Sequence, residues 1–385
     1  MFVYLYDMPN HDNDFTRLEL SLPNCLDNFR YFRSRLEPAT NLLVLVKANA
    51  YGHGSVEMSA MLQQAGADYL AVALPVEGIE LRNAGIALPI LVLTAGTDFF
   101  DEIIEKRLEP GIPNLFTLQA LIQTLRENGI RDFPVHIKLD TGMHRLGFTA
   151  EEIPALTALL TASPEVRVRS VYSHLAAADE PSEDAYTLRQ IQLFTEGAGA
   201  IDAALGYHPM WHILNSAGIE RFSQYQFDMV RLGIGIYGID PVDYPAGQVV
   251  RRGLKPVASL KVKILQIKAL SCDGSTIGYG RHGIIAPEGT VIATIPAGYA
   301  DGLDRHLGQG RASFLLNGRR VPTIGNICMD MCMLDVTGIP AQVGDTVTIF
   351  GEDPTVTEMA SILDTIPYEI LTRVPRRIKR VVIRR

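Results

Sequence analysis

"NLLVLVKANAYGHGSVEMSAMLQQAGADYLAVAL", residues 41–74, holds two short apolar runs, "LLVLVK" (42–47) and "YLAVAL" (69–74), with the helix-like segment "SVEMSAMLQQAGA" between them. Both runs are apolar at nearly every position. That is the pattern of strands buried on both faces, in a parallel sheet covered by helices. The unit then recurs as "ILVLT" (90–94), "LEPGI" (108–112), "VHIKL" (135–139), "VRSVYSH" (168–174), "WHILN" (211–215) and "MVRLGIGIYG" (229–238). Amphipathic stretches separate these runs, among them "NLFTLQALIQTLRENG", which Gly129 ends as a C-cap. Eight such units predict an α/β fold, an N-terminal (β/α)8 TIM-like barrel rather than an open sheet.

Beyond residue 250 the pattern changes. "VASLKVKILQIKAL", "GTVIATIPAGYADG", "RASFLLNGRRVPTIG", "MCMLDVTG" and "GDTVTIFG" read as strands broken by Gly and Pro turns, with one late helix, "TVTEMASILDTI". The barrel is therefore expected over residues 13–248 and a mostly β C-terminal domain over 249–385, with residues 1–12 packing on the latter. The boundary falls in "YPAGQVVRRG" (244–253). The closing run "RVPRRIKRVVIRR" (373–385) alternates basic residues with Val and Ile, as an edge strand does.

Composition narrows the function. Of the 385 residues 47% are hydrophobic and 20% charged, which suits a large buried core, and the net charge of −8 implies no general affinity for nucleic acid. Four scattered cysteines make no disulfide framework. The start "MFVYLYDMPNHDND" has no basic leader and no apolar run approaches 18 residues, so a cytoplasmic protein that does not span a membrane is expected.

Barrel enzymes carry their chemistry at the C-terminal ends of the strands. Those ends supply Lys47, then Lys138 with Asp140, His174, Asn215 with Ser216, and Arg231 with Gly233 and Ile234 in the eighth strand. A lysine partly desolvated at a barrel mouth loses its proton readily, and the neutral amine condenses with an aldehyde. "RLGIG" sets unencumbered backbone amides beside an arginine, and Ser216 and Tyr51 add hydroxyls, a set that suits a phosphate. Aldehyde and phosphate together describe pyridoxal phosphate (PLP). His208 and His212 in "HPMWH" have helical spacing but lack the glutamate of a zinc protease, so no metal is expected.

The motifs "VKANAYGHG" (46–54), "KLDTGMHRLGF" (138–148), "SHLAAADE" (173–180), "NSAG" (215–218) and "DMVRLGIGIYG" (228–238) resemble those of the alanine racemases. So do "IGYG" (277–280), "IPAGYADG" (295–302) and "GNICMDMCMLDV" (325–336), and together they span nearly the whole chain in order. The resemblance implies a PLP enzyme that interconverts L- and D-alanine by two bases and supplies D-alanine for peptidoglycan. It assigns Lys47 as cofactor lysine and one base, and Tyr279 as the other. It gives Tyr51, Ser216, Gly233 and Ile234 to the phosphate, with His174 and Asn215 beside the cofactor, and Arg231 to the pyridine nitrogen. Arg145 would meet the cofactor and the substrate carboxylate, and Met329 and Tyr299 the substrate. Lys138 matches a lysine that is often carbamylated. A chain Arg231–His174–Tyr279 is expected to favour the phenolate. The resemblance also implies a homodimer in which Tyr279 and Met329 serve the partner's site.

Two departures stand out. The family's early tryptophan motif is absent, the sole tryptophan being Trp211, and Arg376 aligns with a phosphate-binding tyrosine near the C-terminus. Competing readings are a barrel-type decarboxylase, which needs a catalytic cysteine and a glycine-rich phosphate loop, and a PLP carrier, which has no second domain. A racemase of broader specificity, acting on serine for example, would keep every motif.

Overall fold

The computed structural model describes residues 15–242 and 252–384, so the expected boundary at 248/249 and the first dozen residues lie outside the described part. The chain forms two compact units.

The strands, in chain order, are β1 (Thr16–Ser21), β2 (Asn41–Leu45), β3 (Tyr69–Val72), β4 (Ile90–Val92), β5 (Glu109–Ile112), β6 (Phe133–Lys138), β7 (Val166–Tyr172), β8 (Met210–His212) and β9 (Met229–Leu232). In the second unit follow β10 (Ala258–Lys263), β11 (Gln266–Leu270), β12 (Thr290–Ile295), β13 (Ser313–Leu316), β14 (Arg319–Pro322), β15 (Cys332–Asp335), β16 (Thr346–Phe350) and β17 (Lys379–Ile383).

Strands β2 to β9 make one eight-stranded parallel sheet, ordered β8-β7-β6-β5-β4-β3-β2-β9, which curls into the TIM-like barrel. All eight barrel strands expected from the sequence are present. Between β8 and β9 the ladder is thin, with Asp228 N donating to Trp211 O at 3.2 Å and Arg231 N to Leu214 O at 3.0 Å. Most positions of β2, β3 and β4 are fully buried, as their unbroken apolar runs require. "EPGI" is a strand despite its proline. A side chain at Gly111 would meet the Tyr172 hydroxyl at 2.6 Å, so only glycine fits there. The helix Leu115–Glu127 is capped by Asn114, whose side chain accepts from Thr117 N, and ends at Gly129 with φ of 66°.

Three expectations need correction. β1 does not belong with the barrel: it pairs antiparallel with β10 and parallel with β17, in the sheet β14-β13-β16-β10-β1-β17. "TRLELS" alternates between buried and half-buried positions, the signature of a sheet with one covered face. The eighth barrel strand stops at Leu232, not 238, because Gly233 turns the chain into the 3-10 segment Ile234–Tyr237. Gly233 and Ile234 therefore follow the strand rather than lie in it. The third correction is that Lys47 and His174 lie two residues beyond their strands, on the loops that follow.

The second unit adds a three-stranded sheet, β11-β12-β15, and the helices Val356–Ile362 and Pro367–Thr372. β17, cut from the basic C-terminal run, is indeed an edge strand. Among the described residues no helix is long and apolar enough to cross a membrane, and no group of three or more His, Cys, Asp or Glu is gathered as for a metal ion. His208 sits apart from His212 and bridges Asp202 (2.5 Å) and Asp228 (3.0 Å).

Candidate active site

After β2 the chain takes an unusual turn. Ala48, Asn49, Ala50 and Tyr51 have φ of 52°, 55°, 51° and 52°, one turn of left-handed helix built without a single glycine. Each such residue costs roughly 1–2 kcal/mol, so the turn persists only where its surroundings over-determine it. Glu77 provides part of that hold: its carboxylate accepts from Ala48 N at 2.6 Å and from Ala73 N at 2.7 Å. Asn49 accepts from Ser55 N at 3.0 Å, and Ala50 N donates back to Val46 O at 2.9 Å. The strain fixes the residue just before the turn, Lys47. Tyr51 to Gly54 group with the second unit, where Tyr51 packs on Tyr368 at 5.7 Å between rings and Gly52 O accepts from Arg380 at 2.8 Å. The aromatic partner of Tyr51 is thus Tyr368, upstream of the position aligned with Arg376.

Burial lowers the pKa of the Lys47 amine below its ordinary value, and the charge of Arg145 adds to this against a weaker pull from Glu77. Lys138, at the end of β6, lies with Nζ 4.9 Å over the Tyr172 ring. Burial first, then Arg231 and Arg145, brings its pKa down to about 7. Arg145 stands exposed on a tight loop. Asp140 holds that loop by accepting from Gly142 N and His144 N, both at 3.0 Å. Gly147, with φ of 127°, closes it where a Cβ would strike Asp140 N at 2.6 Å.

Arg231 is buried, and burial pulls its pKa down to about 10, which leaves it charged at neutral pH. Its Nη1 donates to His212 Nδ1 and His212 O, both at 3.0 Å. Its Nη2 donates to Ser173 O (2.6 Å), Ile213 O (2.9 Å) and His174 Nδ1 (3.2 Å). His174 accepts at Nδ1, so its proton is on Nε2. Burial, then Arg231, Lys138, Arg145 and Lys47, holds its pKa well below the usual histidine value. Ser216 Oγ accepts from Gly233 N at 2.8 Å and Gly235 N at 3.4 Å, and the Asn215 side chain caps the short helix Ser216–Arg221 by accepting from Gly218 N. The barrel thus brings Lys47, Lys138, Arg145, His174, Asn215, Ser216, Arg231, Gly233 and Ile234 to the C-terminal ends of its strands and the segments that follow them.

Tyr279, Tyr299 and Met329 stand on the second unit, each substantially exposed. Tyr299 N donates to Cys328 O (3.1 Å) and Ala300 N to Met329 O (3.0 Å). A Cβ on Gly298 would lie 2.3 Å from Met329 O, so glycine lets the two segments touch. Sequence reasoning missed Glu77, Glu109, His136 and Ser170. For the last three the signal available was a polar residue inside an otherwise apolar barrel strand, whereas Glu77 lies in the helix Pro75–Asn83 and carried none.

Comparison with known proteins follows the same division. The family model described as alanine racemase, N-terminal domain, matches residues 20–241, and that described as alanine racemase, C-terminal domain, matches 257–382. Alanine racemase of Synechocystis sp. is 38% identical over 95% of this chain and 98% of its own length. That of Methanococcus maripaludis is also 38% identical, over 94% and 97%. The structure of alanine racemase from Clostridium difficile 630 superposes with a TM-score of 0.89 at 34% identity, covering 97% of this chain and 96% of that one. A barrel whose mouth gathers lysines and arginines, followed by a β domain, with such likeness end to end, places this enzyme in the alanine racemase family.

Proposed function

We propose that the chain interconverts L- and D-alanine with PLP held at the barrel mouth, Lys47 and Tyr279 acting as the two bases. The observation that carries this is the crowd of basic groups around one softened lysine. Lys47, Lys138, Arg145 and Arg231 depress one another or their neighbours, a repulsion relieved by an anionic occupant. A phosphate and a carboxylate fit that field, and the Lys47 amine fits an aldehyde. When bound, PLP supplies that aldehyde and an electron-withdrawing ring that acidifies the amino acid's Cα–H.

The chain's own residues supply the rest. Lys47 would hold the cofactor, with Tyr51, Ser216 and the amides of Gly233 and Ile234 toward the phosphate, and His174 and Asn215 beside it. Arg231 spends Nη1 and Nη2 on the strand ends, which leaves Nε–H as the donor for a ring nitrogen. An arginine cannot hand a proton to that nitrogen, which keeps the ring a mild electron sink. Lys47 Nζ and Tyr279 Oη take and return the Cα proton from opposite faces, while Arg145, Met329 and Tyr299 receive the substrate. A free tyrosine has a pKa near 10, so its hydroxyl needs help as a base. The Arg231–His174 contact would provide the first link of that help. Borohydride reduction of the PLP-loaded protein is expected to fix the cofactor to the peptide containing Lys47. Label on a different lysine would sink the assignment.

Lys138 is proposed to carry a carbamate that steadies Arg145. With its pKa near 7 the amine is largely neutral at pH 8, and the neutral form adds carbon dioxide. Under 13C-labelled carbon dioxide a carbamate resonance should grow as pH rises from 6 to 8, and vanish in Lys138→Ala. A spectrum without it at pH 8 would refute the modification.

A further inference from the structure

Arg231 is one end of a buried line of hydrogen bonds that crosses the barrel. Arg231 Nη1 lies 3.0 Å from His212 Nδ1, and His212 Nε2 is 2.8 Å from Ser170 Oγ. Ser170 Oγ is 2.6 Å from His136 Nδ1, and His136 Nε2 is 2.7 Å from Glu109 Oε2. The five residues come from β9, β8, β7, β6 and β5, and His212, Ser170 and His136 are fully buried. Glu109 opens β5, so the line joins the N-terminal end of the barrel to the group at its mouth. The rings are pinned: Tyr172 stacks on His212 at 5.1 Å, and Tyr69 meets His136 edge-on at 6.2 Å.

The protons along this line can be placed one by one. A guanidinium only donates, so His212 must accept at Nδ1 and carry its proton on Nε2. That proton goes to Ser170 Oγ. Ser170's own hydrogen is then directed to His136 Nδ1, the acceptor in reach, which leaves the His136 proton on Nε2 facing Glu109. Every donor points the same way, from the arginine to the carboxylate. A doubly protonated His136 would leave the buried Ser170 hydrogen without this acceptor, an expensive arrangement. Burial raises the Glu109 pKa, but the hydrogen bonds from His136 and Tyr69 and the charge of Arg169 lower it and keep the group a carboxylate.

We propose that Glu109 is a positioning residue for racemisation: acting through His136 and Ser170, it keeps a bare His212 Nδ1 facing Arg231 and so fixes the guanidinium at the barrel mouth. This rests on the place given to Arg231 under Proposed function. The test uses PLP-loaded protein labelled with 15N at histidine, the rings being assigned by single His→Gln substitutions. In the wild type both His136 and His212 should be neutral with Nε2–H. Glu109→Gln can still turn a carbonyl to His136, so both tautomers and the rate should survive. Glu109→Leu removes the acceptor, so the His136 proton should move to Nδ1 and the His212 signals should change with it. The kcat should fall about tenfold with KM within about twofold, the size of effect an orienting outer partner exerts. Should Glu109→Leu not fold, Ser170→Ala cuts the line with the loss of one oxygen and should show the same kcat loss. A doubly protonated or Nδ1–H His136 in the wild type, or His212 signals indifferent to Glu109→Leu, would overturn the proposal. Tautomers that respond while kcat and KM stay fixed would overturn the positioning role of Glu109, whereas Arg231's place in the cofactor site stands or falls separately with Arg231→Lys.

Discussion

Mixing inactive Lys47→Ala protein with inactive Tyr279→Phe protein, under conditions of subunit exchange, should restore about a quarter of wild-type activity. Each parent lacks one of the two proposed bases, and loss of a positioned base lowers the rate roughly 10²–10⁴-fold. If Lys47 of one chain works with Tyr279 of its partner, a mixed dimer has one site with neither base and one with both. Random pairing makes about half the dimers mixed, so about a quarter of all sites are whole. The shared arrangement is proposed on two grounds: the family resemblance, and the exposure of Tyr279 (72%) and Met329 (54%), large side chains at the surface of the second unit. Were both bases from one chain, every site in every mixture would still lack one. Proven exchange without recovery would therefore put Tyr279 in its own subunit's site or outside the reaction.

The barrel was legible because a strand buried on both faces has no polar positions to confuse its period, and β2, β3 and β4 are of that kind. β1 was misplaced for the opposite reason. "TRLELS" alternates, which marks a sheet with one open face, and grouping it with the neighbouring barrel segment overrode that signal. The end of β9 was lost in "GIGIYG", where a glycine that permits a strand also permits the turn that stops it. Site residues with a chemical signature, such as Lys47 and Arg231, could be named from the strand ends. The left-handed turn after Lys47 could not, since alanine and tyrosine disfavour positive φ and the single Asn49 among them predicts at most one such residue, not four in a row. Glu109 and Ser170 could be noticed as polar residues in apolar strands, but their role could not be read: it depends on which neighbour each faces across the barrel, and register between distant strands is not written in local sequence.

Replacing Arg231 should damage the fold as well as the reaction. Its guanidinium bridges the ends of β7 and β8 by meeting three carbonyls and two imidazole nitrogens from Ser173, His174, His212 and Ile213. It does so beside the one seam of the barrel where the strand ladder is thin. A buried acceptor left without a donor costs about 1–3 kcal/mol, and total stability is only about 5–15 kcal/mol. Arg231→Met strands four of the five, His212 O still accepting from Ser173 N at 3.3 Å, so little folded protein should accumulate. Arg231→Lys keeps the charge but offers three donors from one nitrogen, leaving at least one of those four acceptors bare. That is about 2 kcal/mol, or roughly 6 °C in Tm for a unit of this size. Loss of the planar donor toward the ring nitrogen should cut kcat about a hundredfold besides. Arg30→Lys, at an exposed pair with Asp27, is the control and should stay within about 0.5 kcal/mol. An Arg231→Lys protein that melts with the wild type would show that the seam is held elsewhere. One that melts early yet racemises at full rate would confine Arg231 to the fold.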